Sequence, residues 1–183
     1  MAKILKTFCL FFLIYSASAD AHVQHYYNLN KIEFEILRNN KSIGKHVFSF
    51  KKDQENLKVE SKINFQIKKL GIVLYDYQAQ GTEVYDGDGK LIKFNSKTDQ
   101  NGKNKNVNMI FEDNEYIIDG SSYKGKAPID YMIGTWWNHS IVKANAQISA
   151  VSGRIIKQKV TFLGKETINL GDKSYNTLHF NFS

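Results

Sequence analysis

Asp20, Ala21 and His22 would form a metal site if they began the mature chain. A free amine, two backbone amides and the His22 imidazole supply four nitrogens in a square plane, a geometry Cu(II) and Ni(II) favour. The site exists only if a peptidase cuts after Ala19, because a cut after Ala21 removes it. With Asp20 at the terminus, Cu(II) is expected to give a visible d–d band that disappears in His22→Ala. N-terminal sequencing that starts at Ala21 or later would remove this site before any titration.

A second candidate is GTWWNHS, residues 134–140, which contains both tryptophans of the chain. Adjacent aromatics in a loop can form one wall of a glycan or lipid site, so Trp136, Trp137 and His139 are the candidate ligand-binding residues. In extended backbone, however, neighbours point to opposite sides. One tryptophan is then expected to seal a packed corner and the other to stand at a rim. Ser140 beside His139 suggests a nucleophile and its base. There is no G-x-S-x-G elbow, and no carboxylate is marked as the orienting partner. No catalytic residue is assigned. His46, His139 and His179 lack metal-ligand spacing and read as surface or hydrogen-bonded sheet residues.

Two further motifs fail on their own chemistry. GSSYKGKA at 120–127 nearly spells a phosphate-binding loop. Ala127 stands where a magnesium-binding hydroxyl belongs, and no strand-to-helix context surrounds it. DGDGK at 86–90 hints at a calcium loop, but Lys90, Leu91 and Lys97 occupy positions that need an oxygen ligand, a glycine and a glutamate. The first reads as a loop between strands and the second as a hairpin turn.

The elements that would position these residues are strands. Ile32, Phe34 and Ile36 alternate with polar residues. So do Leu57, Val59, Ile63, Phe65 and Ile67, interrupted by Ser61, and Leu178, Phe180 and Phe182 at the end. A period of two with one apolar face is the pattern of antiparallel sheets. Turn signals separate the runs: RNNKS at 38–42, DGDG at 86–89, QNG at 100–102, EDNE at 112–115, LGK at 163–165 and GD at 171–172. The expected fold is all-β and mainly antiparallel, a curved meander or partial β-barrel of about ten strands. A short helical or loop excursion near 128–150 crosses one end of the sheet. Leu178, Phe180 and Phe182 are expected to face the core, with Tyr175, Thr177, His179 and Asn181 facing away.

The first residues read as an address. Lys3 and Lys6 precede an apolar run from Thr7 to Tyr15, and Ala17-Ser18-Ala19 supplies a small-x-small cleavage site. The run is far shorter than the roughly 20 residues that span a bilayer. Residues 1–19 are therefore expected to be a signal peptide, 20–30 a flexible lead-in and 31–183 a single β domain. The protein is expected to be exported, periplasmic or secreted, with no transmembrane segment. Cys9, the single cysteine, leaves with the signal, so no disulfide or catalytic thiol is expected. The net charge of +7 falls to +5 when Lys3 and Lys6 leave. The remaining lysines are scattered, which suits solvated strand faces and weak attraction to anionic envelope surfaces, not nucleic acid.

Three stretches carry a family resemblance: NKSIGKHVFSF at 40–50, EVYDGDGKLIKFNSKTDQNGK at 83–103, and GTWWN at 134–138 with VSGRI at 151–155. In these the chain resembles exported bacterial proteins of domain-of-unknown-function family 6134, and more distantly family 3108. The resemblance implies a periplasmic antiparallel domain with a curved or partly closed sheet, and assigns no catalytic residues. It also implies a further strand with a Trp-Tyr-Asp motif, so the chain is expected to be truncated at Ser183, unless its last strand closes a barrel. A truncated chain should leave one edge of that strand bare, and a complete one should pair both.

These readings converge on a non-enzymatic envelope protein that binds a lipid or other apolar ligand. An envelope interaction module working through an open sheet edge is the first alternative, and an enzyme acting on an envelope polymer is the second. No cofactor is expected beyond the Cu(II) or Ni(II) candidate.

Overall fold

The computed structural model describes Tyr26 and residues 28–53 and 55–183. Its main feature is an eight-stranded antiparallel meander in which each strand pairs with the next in sequence. The strands are β1 (Lys31–Arg38), β2 (Lys41–Asp53), β3 (Asn56–Lys69), β4 (Ile72–Tyr85), β5 (Leu91–Gln100), β6 (Lys103–Glu112), β7 (Glu115–Gly120) and β8 (Lys124–Pro128). The sheet is not closed, because β1 pairs only with β2 and β8 only with β7. Most turns use the residues their geometry demands. Asn39-Asn40, Asn101-Gly102 and Asp113-Asn114 all take positive φ, as two-residue hairpin loops require. Asp86 Oδ1 accepts from the Asp88 and Lys90 amides at 3.1 and 2.9 Å, which makes DGDGK the turn the sequence suggested.

Register carries the alternation onto one inner face. Leu57, Val59, Ser61, Ile63, Phe65 and Ile67 of β3 sit opposite Tyr85, Glu83, Gly81, Ala79, Tyr77 and Tyr75 of β4. Phe48, Phe50, Phe94, Val107, Met109 and Ile118 share that face and are buried. Each large apolar side chain buried in this way contributes roughly 1.5–3 kcal/mol.

The chain then turns back over its own sheet. β9 (Met132–Ile133), a 3-10 helix (His139–Lys143), β10 (Ala146–Ile148) and β11 (Ile155–Lys157) form a small cap. Its Ile133, Trp137 and Ile148 join the sheet's core. Gly120 and Gly153 let the cap approach closely: a Cβ on Gly120 would lie 2.5 Å from the Ser152 carbonyl oxygen. Gln158 holds the helical turn, its Nε2 donating to the carbonyls of Ile141 and Ala144 at 2.9 and 2.7 Å. Tyr26, inside the stretch 20–30 expected to be flexible, stacks on Phe50 and meets Trp137 edge-on.

The last two strands depart from expectation. β12 (Val160–Leu170) and β13 (Lys173–Phe182) form a separate two-stranded hairpin. LGK at 163–165 is not a turn. It lies within β12, where the register shifts between Phe162 and Gly164 and Gly164 has φ of +136°. The expected core face of the last strand is also absent: Leu178 is 59% exposed, and Phe180 and Phe182 are only partly covered. Alternation specified a strand with an apolar side, but among the described residues the strand pairs with β12 alone and its other edge is bare.

Candidate functional site

The cap covers only part of the inner face. It packs on the end marked by Phe50, Tyr85 and Ile118, while Phe65, Tyr75 and Tyr77 lie beyond it as a stacked aromatic group with centroids 5.1–6.5 Å apart. Where covered and uncovered halves meet, a cavity of about 270 Å³ opens. Its floor consists of short side chains, Ser61, Ala79, Gly81, Ser96 and Thr98, which leave room where larger residues would fill the interior. His46, Tyr77 and Phe94 form its sides, and Trp136, Ala150 and Val151 close it from the cap. Ser96 Oγ donates to the Ala150 carbonyl at 2.5 Å and ties cap to floor. No Asp or Glu among the described residues lines the cavity.

Two polar atoms here lack partners. His46 Nε2 and Thr98 Oγ1 are buried without a hydrogen bond among the described residues. Such orphans normally cost about 1–3 kcal/mol, so native interiors seldom keep them. Burial holds the His46 pKa below its ordinary value, so the ring is neutral and offers one N–H and one lone pair. Burial also pushes up the Tyr77 phenol, an effect that the neighbouring Thr98 hydroxyl opposes without reaching ordinary hydrogen-bond geometry.

Trp136 reaches the cavity through an unusual backbone. Its φ is +68°, a region where a bulky side chain is an outlier. That turn splits the two indoles: Trp136 is 57% exposed and Trp137 only 5%. The expected in-and-out division therefore holds, but by a left-handed turn in place of extended chain. Trp136 also meets Phe182 edge-on at 5.2 Å, so the base of the terminal hairpin supports the cavity wall.

Behind this wall lies a buried carboxyl. Glu83 accepts from Trp137 Nε1 at 2.8 Å and from the Tyr85 hydroxyl. Burial pushes the Glu83 carboxyl up, while hydrogen bonds from Tyr85, Trp137 and Thr135 pull the other way. Burial and the adjacent Glu83 charge push the Tyr85 phenol well up. Glu83 does not line the cavity. Its geometry fits a structural role, anchoring the cap's tryptophan to β4.

The domain-of-unknown-function family DUF6134 matches residues 34–183. The chain belongs to DUF6134. No curated protein and no solved structure matches it.

In this DUF6134 chain the residues singled out from sequence scatter. Trp136 lines the cavity, Trp137 is in the core, and His139 lies apart, its Nδ1 3.1 Å from the Tyr26 hydroxyl. Ser140 instead faces a second hollow beside Tyr85 and Tyr131, so the structure does not join His139 and Ser140 into a catalytic pair. His179 sits 3.4 Å from Glu166 on the terminal hairpin. His46, read from the sequence as a surface or hydrogen-bonded sheet residue, is half-buried in the cavity wall, and its Nε2 has no hydrogen-bond partner among the described residues. Asp20, Ala21 and His22, and the signal segment 1–19, lie outside the described residues. No group of three or more His, Cys, Asp or Glu side chains is placed to hold a metal among the described residues. No helix among them is long and apolar enough to cross a membrane.

Sequence reasoning missed His46, Thr98 and Glu83. A signal was present. Each is a polar residue in phase with an apolar strand face: His46 with Phe48 and Phe50, Thr98 with Phe94, and Glu83 with Tyr85 and Tyr77.

Proposed function

We propose that this protein is an exported, non-enzymatic binding protein whose cavity beneath Trp136 takes a small apolar molecule with one neutral hydrogen-bonding group. The observation that carries this reading is a cavity of small, apolar and a few polar side chains, Tyr77 and Gln80 among them, walled by His46 and Thr98, whose Nε2 and Oγ1 are buried and have no partner among the described residues. Binding sites combine an apolar lining with a few convergent polar groups, and about 270 Å³ suits a small ligand. A neutral His46 favours a hydroxyl or amide head over an anion. The strained φ of Trp136 fits the same picture, since such strain collects at ligand clamps. A pair of carboxylates, which polymer-cleaving glycosidases need, is absent from the lining. Export rests on residues 1–19.

Native mass spectrometry of protein purified from its producing cells is expected to show an adduct that denaturation releases. Ala79→Phe, which fills the floor, should lower its occupancy about tenfold, equivalent to ~1.4 kcal/mol. Thr98→Val keeps the shape but removes the orphan hydroxyl, so it should weaken the adduct while raising stability by about 1 kcal/mol. A bare mass for the wild type, with Thr98→Val no more stable than its parent, would overturn the reading.

A second reading has its own observation. The outer edges of β1 and β13 are unpaired among the described residues. Such edges accept an added strand from a partner, which would make the protein an envelope interaction module.

A further inference from the structure

The hairpin joining β3 and β4 breaks the pattern of its neighbours. Other tight turns of the meander place Asn, Asp or Gly at the two positive-φ positions, whereas here they are Leu70 (φ +52°) and Gly71 (φ +80°). A leucine in left-handed conformation is strained, and this one gains no burial in return, being 94% exposed. Ile72, Val73 and Leu74 follow it, at 66, 46 and 55% exposure. The strand pairing skips Leu74 at a bulge between Ile67 and Lys68, leaving it without a cross-strand partner. Four aliphatic side chains thus project from one tip.

The tip has a basic collar. Lys69 and Lys68 lie across from Ile72 and Val73. Arg38 and Lys41, from the adjacent β1–β2 turn, line one hollow with Lys68, Lys69 and Leu74, and no carboxylate among the described residues lines it. The nearest acid on β4, Asp76, accepts from Gln66 and Gln78 at 2.9 and 3.1 Å. Aliphatic side chains ringed by Lys and Arg match the two layers of an anionic lipid surface, acyl boundary and charged headgroups.

We propose that the β3–β4 tip is a membrane-docking element. Leu70, Ile72, Val73 and Leu74 enter the headgroup boundary of an anionic bilayer, while Arg38, Lys41, Lys68 and Lys69 hold its phosphates. The collar supplies attraction that salt screens, and the aliphatic tip supplies burial that salt does not. This inference is independent of the cavity.

The test is co-sedimentation of the mature chain with two kinds of vesicle, equimolar phosphatidylglycerol and phosphatidylethanolamine, or phosphatidylcholine alone. The protein should sediment with the anionic vesicles, and less so as salt rises. The key variant is Leu70→Asn with Ile72→Thr. Asn-Gly is the preferred dipeptide for this turn, so the variant keeps or improves the fold. It should lose at least tenfold in partition coefficient, as should Lys68→Gln with Lys69→Gln. Sedimentation of Leu70→Asn/Ile72→Thr equal to the wild type would overturn the proposal, as would a wild type that stays in the supernatant. A concentration-dependent dimer that Leu70→Asn disperses, with no vesicle binding, would also overturn it and assign the tip to a second copy.

Discussion

Trp137→Ala is expected to cost about 3–5 kcal/mol of folding stability, the range for deleting a large aromatic from a core. Its indole meets Tyr26, Phe50 and Tyr85 edge-on, with centroids 5.0, 5.4 and 5.6 Å away. The loss would also take the Trp137 donor from Glu83, leaving a buried carboxyl less satisfied. A domain of this kind holds only about 5–15 kcal/mol in total, so urea denaturation should show a large fall in midpoint. Trp136→Ala should cost much less, about 1 kcal/mol at most, because the side chain is half in water and its backbone strain is partly relieved. Equal costs at the two positions would contradict the division of labour assigned to this dipeptide.

Glu83 provides the other large effect, and pH reveals its sign. Its folded pKa is raised above the ordinary 4.5, chiefly by burial. The native state therefore holds the proton more tightly than the unfolded chain does. That contribution to stability is present below about 4.5 and is lost as pH rises through the folded value. Glu83→Gln removes the charge but keeps an acceptor for Trp137, and Tyr85 can accept from the new amide as well as donate. This variant is expected to match or exceed the wild type at neutral pH, with a flatter profile above pH 4.5. Glu83→Ala leaves the Trp137 and Tyr85 donors without their carboxylate, and at about 1–3 kcal/mol each should cost roughly 2–6 kcal/mol. Urea titrations across pH would separate these outcomes, and a Glu83→Gln protein as unstable as Glu83→Ala would refute the account. His46 acts in the opposite direction: its lowered pKa makes stability fall as pH drops below the ordinary 6.5. A plot of stability against pH should therefore bend in two separate windows.

The strand pattern of the meander was legible because its causes are local. Alternation puts one set of side chains on each face, and Asn-Asn, Asn-Gly and Asp-Asn adopt positive φ at little cost. The same rules misplaced a turn at Gly164, since a glycine within a strand pattern marks either a turn or a bulge. Only the pairing of Phe162 with Phe180 and Gly164 with His179 decides for the bulge. The terminal strand shows the same limit. Leu178, Phe180 and Phe182 alternate as a buried face would, but alternation names the side that seeks cover, not the element that supplies it.

The sequence by itself determined the all-β class, several of the hairpin turns, the DUF6134 resemblance and the expectation that one of two adjacent tryptophans would be buried. Each depends on residues close together in the chain, where backbone sterics and a two-residue period suffice. Tertiary structure alone decided which tryptophan went inside, by the left-handed turn at Trp136. It also decided that the cap would stop midway across the inner face and leave His46 Nε2 and Thr98 Oγ1 without a hydrogen-bond partner among the described residues. These two residues lie on β2 and β5, with β3 and β4 between them in the sheet. Their convergence depends on sheet register and on the path of a cap that follows β8, and no local rule contains either.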